Sequence, residues 1–115
     1  MERTLYSFKY AWNGLKTVWR EEVNFQIEVL SGLLVIFCLF YFQFTFIESI
    51  FCIIAITIVL SAEILNTVIE DLCNKVQPNH DLVIGKIKDM MASFVLIACL
   101  GSLVTWTVVF FHHFS

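Results

Sequence analysis

Three stretches of this chain contain no Asp, Glu, Lys or Arg: residues 29–47, 49–62 and 90–115. They constrain the fold more than any motif does. The first and third are long enough to cross about 30 Å of hydrocarbon at about 1.5 Å per helical residue. The second is too short alone. It qualifies only if the same helix runs on through residues 63–70, whose polar side chains are spaced out rather than clustered as in a loop. With 59% of its 115 residues hydrophobic, the chain has more apolar surface than one soluble domain of this length buries. The expectation is an all-helical integral membrane protein forming one domain over residues 1–115. It would have an interfacial helix over 1–25 and spans over 28–47, 49–70 and 88–111.

The charges set an orientation. All seven basic residues fall in two places: Arg3, Lys9, Lys16 and Arg20 before the first span, and Lys75, Lys86 and Lys88 between the second and third. By the positive-inside rule, the N-terminus and the second connection face the cytoplasm of an inner or plasma membrane, while Glu48 and the C-terminus face outside. A net charge of −3 and a pI near 5.5 lack the clustered basic face of a nucleic-acid binder, and no nucleic-acid partner is expected. No cleavable signal peptide is expected either, because the first 28 residues contain no compact apolar segment.

Ahead of the first span, Leu5, Phe8, Trp12, Leu15 and Trp19 recur at the alternating steps of one helix face, with Lys9, Lys16 and Arg20 on the polar side. Such a helix lies in the membrane interface, its rings at headgroup depth. It leads into Glu21, Glu22 and Glu28, more negative charge than anchoring requires, which points to a counter-charge or a metal.

The chemistry is expected on the second span. Glu63, Asn66 and Glu70 stand at i, i+3 and i+7, so all three project from one face, with Glu63 roughly 10 Å deeper than Glu70 by helical rise. An ionisable residue at that depth is costly and is a functional candidate by default. Glu70, near the water, suits a divalent cation, while Glu63 suits the hydroxyl of a lipid lying at the interface. Lys88, at the start of the third span, suits phosphate oxygens, with Asp89 placed to orient it or a metal.

The run Ala62-Glu63-Ile64-Leu65-Asn66-Thr67-Val68-Ile69-Glu70 resembles the signature of the prokaryotic diacylglycerol kinase family, and Lys88-Asp89-Met90 before an apolar span resembles its second motif. The resemblance is collinear over nearly the whole chain. It takes in Arg3, Tyr10, residues 19–28 with Glu22 and Glu28, and the loop at 79–81. It implies a bacterial homotrimer with sites between subunits, which transfers phosphate from ATP to a membrane lipid. Glu63 would be the base that takes the lipid hydroxyl proton, with Asn66 beside it, and Glu22 and Glu70 would hold Mg2+ with ATP. Arg3, Tyr10, Asn79, His80, Asp81, Lys88 and Asp89 match nucleotide-binding positions. Lipid contacts would come from Lys16, Trp19, Asn24, Glu28 and Glu63. They would also come from Ala92, which stands where the best-known diacylglycerol-using members carry serine, with Ser93 beside it. The implied reaction converts diacylglycerol to phosphatidic acid. Undecaprenol, a polyisoprenoid alcohol, is the alternative substrate.

No GxxxxGK[ST] loop, GxGxxG run or HRD or DFG motif is present, so ATP would be held by carboxylate-bound metal and a few cations. A rival from another class is a small proton-coupled transporter with Glu63 as its titrating carboxylate. Cys38, Cys52, Cys73 and Cys99 show no metal or redox spacing and read as small hydrophobes. His112 and His113 read as an interfacial tail, and the phenylalanines from Phe37 to Phe51 as lipid-facing bulk. Gly32 and Gly101 read as points of close helix approach.

Overall fold

The structure, a computed structural model, describes residues 2–115. Four helices follow one another: α1 (Glu2–Glu21), α2 (Val23–Tyr41), α3 (Phe46–Val76) and α4 (Leu82–Phe114). Three of them, α2, α3 and α4, are long and apolar enough to cross a membrane. The 31 residues of α3 rise about 46 Å, well beyond a hydrocarbon core of about 30 Å. The apolar run at 49–62 and the polar-studded run after it are therefore one helix, which carries the Glu63–Asn66–Glu70 stripe without interruption.

α3 is the axis of the bundle, packing most extensively on α4 and then on α2, while α1 packs on α2. Val35, Leu39, Cys52, Ile56 and Val109 form the apolar core. That core lies in the half of the bundle where α2 ends, α3 begins and α4 ends. Gly32 admits α3 there: a Cβ at this position would stand 3.0 Å from the Ile56 Cγ2. Gly101 has nothing within 4 Å of a Cβ in its place, so close approach explains only the first of the two glycines.

Polar groups close the same end. α2 finishes with Gln43 in the left-handed region at φ 54°. The Gln43 N–H donates to the Phe40 carbonyl at 3.3 Å and the Phe44 N–H to the Leu39 carbonyl at 3.0 Å, the paired bonds that satisfy carbonyls at a helix C-terminus. α3 opens with a capping box in which the Thr45 N–H donates to Glu48 Oε1 at 2.8 Å and the Glu48 N–H to Thr45 Oγ1 at 3.2 Å. His113, near the end of α4, joins both elements, with Nδ1 3.0 Å from Glu48 Oε1 and Nε2 2.9 Å from the Phe42 carbonyl. Its ring stacks on Phe44, which also packs against Phe110 and Phe114. His113 is thus a structural partner of Glu48 and no loose tail, and Phe44 packs inside the bundle and does not face lipid.

The outward faces of the long helices are apolar. Leu33, Phe37, Phe40, Ile54, Leu96 and Val108 are exposed, as expected where hydrocarbon is the solvent. On α1 only Val18 is buried, and Leu5, Phe8 and Trp12 lie uncovered. The joint between α1 and α2 is a single residue, Glu22, with extended backbone at φ −118°, ψ 107°. Gln26 supports the turn, its Nε2 donating to the Trp19 carbonyl at 2.6 Å.

The close pass of α2 over α3 should be sensitive to volume. Gly32→Leu is expected to cost about 1–3 kcal/mol through overpacking, measured by unfolding of the detergent-solubilised protein, and the cost should shrink when Ile56→Ala makes room.

Candidate active site

Glu22, Glu28, Glu63 and Glu70 gather toward the end of the bundle opposite the core. Glu22 sits at the α1–α2 joint, and its side chain makes no capping bond to α2, which leaves the carboxylate available. Glu63 is 2% exposed on α3 and lies within electrostatic range of Glu22, Glu70 and Glu28. Asn66 joins the stripe to itself, donating through Nδ2 to Glu70 Oε1 at 3.4 Å, while its buried Oδ1 has no partner. Carboxylates from the joint, α2 and α3 therefore confront one another with little to neutralise them. Partial desolvation, then the charges of Glu70, Asp71 and Glu21, hold the Glu22 carboxyl above its usual range.

Among the described residues no three His, Cys, Asp or Glu side chains converge closely enough to hold a metal ion by themselves. The donor set still fits one kind of cation. Mg2+ is commonly bound by one or two carboxylates plus substrate phosphates, without a closed protein cage. Glu22 and Glu70, on separate elements and repelling one another, match that pattern.

Lys88 reaches the same region from α4, and its Nζ donates to Asn74 Oδ1 at 2.6 Å. Its partner is thus Asn74 on α3, and Asp89, exposed on a different side of α4, does not orient it. Asn74 lies one turn beyond Glu70 on the same stripe, and the i+4 spacing is the signal that would have found it. The loop contributes a second cluster, in which His80, Asp81, Lys86 and Asp89 line a shallow concavity. Asp81 also caps α4, its Oδ1 accepting from the N–H groups of Val83 at 2.9 Å and Ile84 at 3.1 Å. Asn79 is exposed beside it.

Other expected positions lie apart within one chain. Arg3 and Tyr10 are exposed on α1, and Arg3 stands about 28 Å along that helix from Glu22 by helical rise. Lys16, Trp19 and Asn24 are exposed along the α1–α2 elbow, and Ala92 and Ser93 on the outer side of α4. Glu28 turns inward. Its Oε1 accepts from the Cys99 thiol at 3.7 Å, and its buried Oε2 has no partner. Cys99 therefore makes a polar contact across the helix interface that its reading as a small hydrophobe did not contain.

The sequence profile of the prokaryotic diacylglycerol kinase family matches residues 9–110. The chain is 29% identical to the diacylglycerol kinase of Escherichia coli (strain K12) over 98% of its own length and 93% of that protein's. It has the same identity to the diacylglycerol kinase of Haemophilus influenzae (strain Rd), over 91% of the chain and 90% of that protein. A membrane bundle with Glu63, Asn66 and Glu70 on one helix face and a profile match along almost all its length agree in their meaning: this chain belongs to the prokaryotic diacylglycerol kinase family and is a membrane lipid kinase.

Proposed function

We propose that the protein transfers the γ-phosphoryl group of ATP to the primary hydroxyl of diacylglycerol, giving phosphatidic acid and ADP. The observation that carries this reading is the approach of Glu22, Glu28, Glu63 and Glu70 from three segments to the end of the bundle that Lys88 also reaches. The E. coli and H. influenzae relatives are named for the same lipid. A proton-coupled carrier would need Glu63 but not the flanking acids or Lys88.

Glu63, buried on α3, takes the proton of the lipid hydroxyl as its oxygen bonds to the γ-phosphorus and the bond to ADP breaks. Asn66 holds Glu70 in place. Glu22 and Glu70 would hold Mg2+ with the nucleotide, and the bound ion would supply charge neutralisation at the phosphates. Lys88 places a further positive charge at the phosphates, and Arg3, Tyr10, Asn79, His80, Asp81 and Asp89 contribute to nucleotide binding. Lys16, Trp19, Asn24, Glu28 and Ala92 contact the lipid. Since Arg3 cannot reach the acids of its own chain, the site is completed between subunits of a homotrimer. The acidic end lies in the cytoplasm of a bacterial inner or plasma membrane, where the seven basic residues collect.

Transfer of labelled γ-phosphate from ATP into extractable lipid by the purified protein tests the reading. Glu63→Gln should lower the rate at least about a hundredfold, the scale of a lost general base. Thin-layer separation after supplying both lipids should show phosphatidic acid; undecaprenyl phosphate as the sole product would replace the proposed substrate.

Metal dependence gives a second test. The folded chain holds the Glu22 proton more tightly than the unfolded chain does, so without metal, stability should fall as pH rises from the ordinary carboxylate range through the raised Glu22 value. Mg2+, which favours the ionised form, should raise the unfolding midpoint above that value and have little effect below it. Glu22→Gln should weaken the pH trend and remove the Mg2+ response. A response that survives in this variant would take Glu22 out of the metal site.

A further inference from the structure

Beneath the carboxylates lies a cleft of about 170 Å³ between α2, α3 and α4, lined by Glu28, Ser31, Val59, Cys99, Ser102 and Trp106. Its walls are mostly apolar, yet three buried polar atoms among them have no partner: Glu28 Oε2, Ser102 Oγ and Trp106 Nε1. Orphaned groups inside hydrocarbon are costly. Ser102 is the most informative. Elsewhere in the long helices, the hydroxyls of Thr57, Thr67, Ser93 and Thr105 donate to the carbonyl four residues earlier, at 2.9 to 3.1 Å, while Ser31, Ser49, Ser61 and Thr107, which make no such bond, are half-buried or exposed. Ser102, only 5% exposed, does not, and its hydroxyl stays unpaired beside the cleft.

The polar atoms are ordered with depth. Glu28 meets Cys99 at the end of the cleft nearest Glu63. Ser102 lies about 4.5 Å further along α4 and Trp106 about 10.5 Å further by helical rise, and a helical side chain of that length leans back toward the N-terminus. Along the cleft run first an acceptor and then two donors. A lipid with its hydroxyl at Glu63 would present its next polar atoms in just this stretch. In diacylglycerol they are ester carbonyls, which accept hydrogen bonds. A polyisoprenoid alcohol has no second oxygen and would leave both donors orphaned. The volume is roughly that of five or six waters, enough for a glycerol backbone and its ester groups but not for acyl chains, which would leave between the apolar helix faces.

We infer that Ser102 and Trp106 are specificity-determining residues that donate hydrogen bonds to the ester carbonyls of the lipid, so the enzyme selects acylglycerols over ether lipids and polyisoprenoid alcohols. This rests on the kinase reading above and deepens it.

The test compares 1,2-diacylglycerol with the chain-matched 1,2-dialkylglycerol, which keeps the reacting hydroxyl and lacks the carbonyls, using the full-length protein in mixed micelles and labelled ATP. The KM of the wild type for the diester should be at least about tenfold lower than for the diether. Ser102→Ala and Trp106→Phe should each shrink that ratio by raising the KM of the diester, with a smaller effect on kcat, and Ser102→Thr, which keeps the hydroxyl, should restore it. A variant that merely packs badly would weaken use of both lipids together and leave the ratio unchanged, and that result would overturn the inference. So would equal use of diester and diether by the wild type, which leaves the kinase reading intact. Labelling of undecaprenol alone would remove both the inference and the proposed substrate.

Discussion

Hydrocarbon offers no hydrogen-bond partner, so every polar group held inside this bundle must find one in the protein or remain unpaired at a cost. The four helices meet that demand for the backbone, and the hydroxyls of Thr57, Thr67, Ser93 and Thr105 meet it by bonding to the preceding turn. What remains is divided unequally between the two ends. At one end Glu48 is held by Thr45 and His113, with aromatic rings packed around it. At the other, Glu22, Glu63 and Glu70 face like charges, and among the described residues Asn66 is the one side chain that bonds to any of them.

That inequality separates two tasks along one helix. α3 is fixed at its start by a capping box and by the apolar core around Cys52 and Ile56. Its later turns present the stripe Glu63, Asn66, Glu70 and Asn74. The well-satisfied half supplies the rigidity that lets the other half keep carboxylates close together in a poorly solvating environment, which they would otherwise relieve by spreading or by taking up protons. The buried groups without partners run from Asn66 and Glu28 near the acids to Ser102 and to Trp106, which packs against the apolar core.

The membrane class and the all-helical architecture were legible because uncharged runs and three- and four-residue steps are properties of the chain alone. The sharing of one face by Glu63, Asn66 and Glu70 was legible for the same reason. Contacts between helices were not. Lys88 with Asn74, Cys99 with Glu28 and His113 with Glu48 all join residues on different helices, and their pairing depends on the rotation of each helix, which no local spacing encodes. Cys99 and Ser102 sit in an apolar run and look like filler until the neighbouring helix is in place. Arg3 and Tyr10 lie on the exposed surface of α1, apart from the acids of their own chain, which the spacing of residues along the sequence did not reveal.

The joint at Glu22 leaves no slack. Its neighbours on both sides are helical, so adding or removing one residue there would turn α1 by about 100° relative to α2. The tryptophan face would then rotate away from the bilayer, and the carboxylate would swing away from α3. Length at this point is therefore fixed mechanically as well as chemically: a substitution leaves the angle between α1 and α2 in place, whereas one residue more or less resets it.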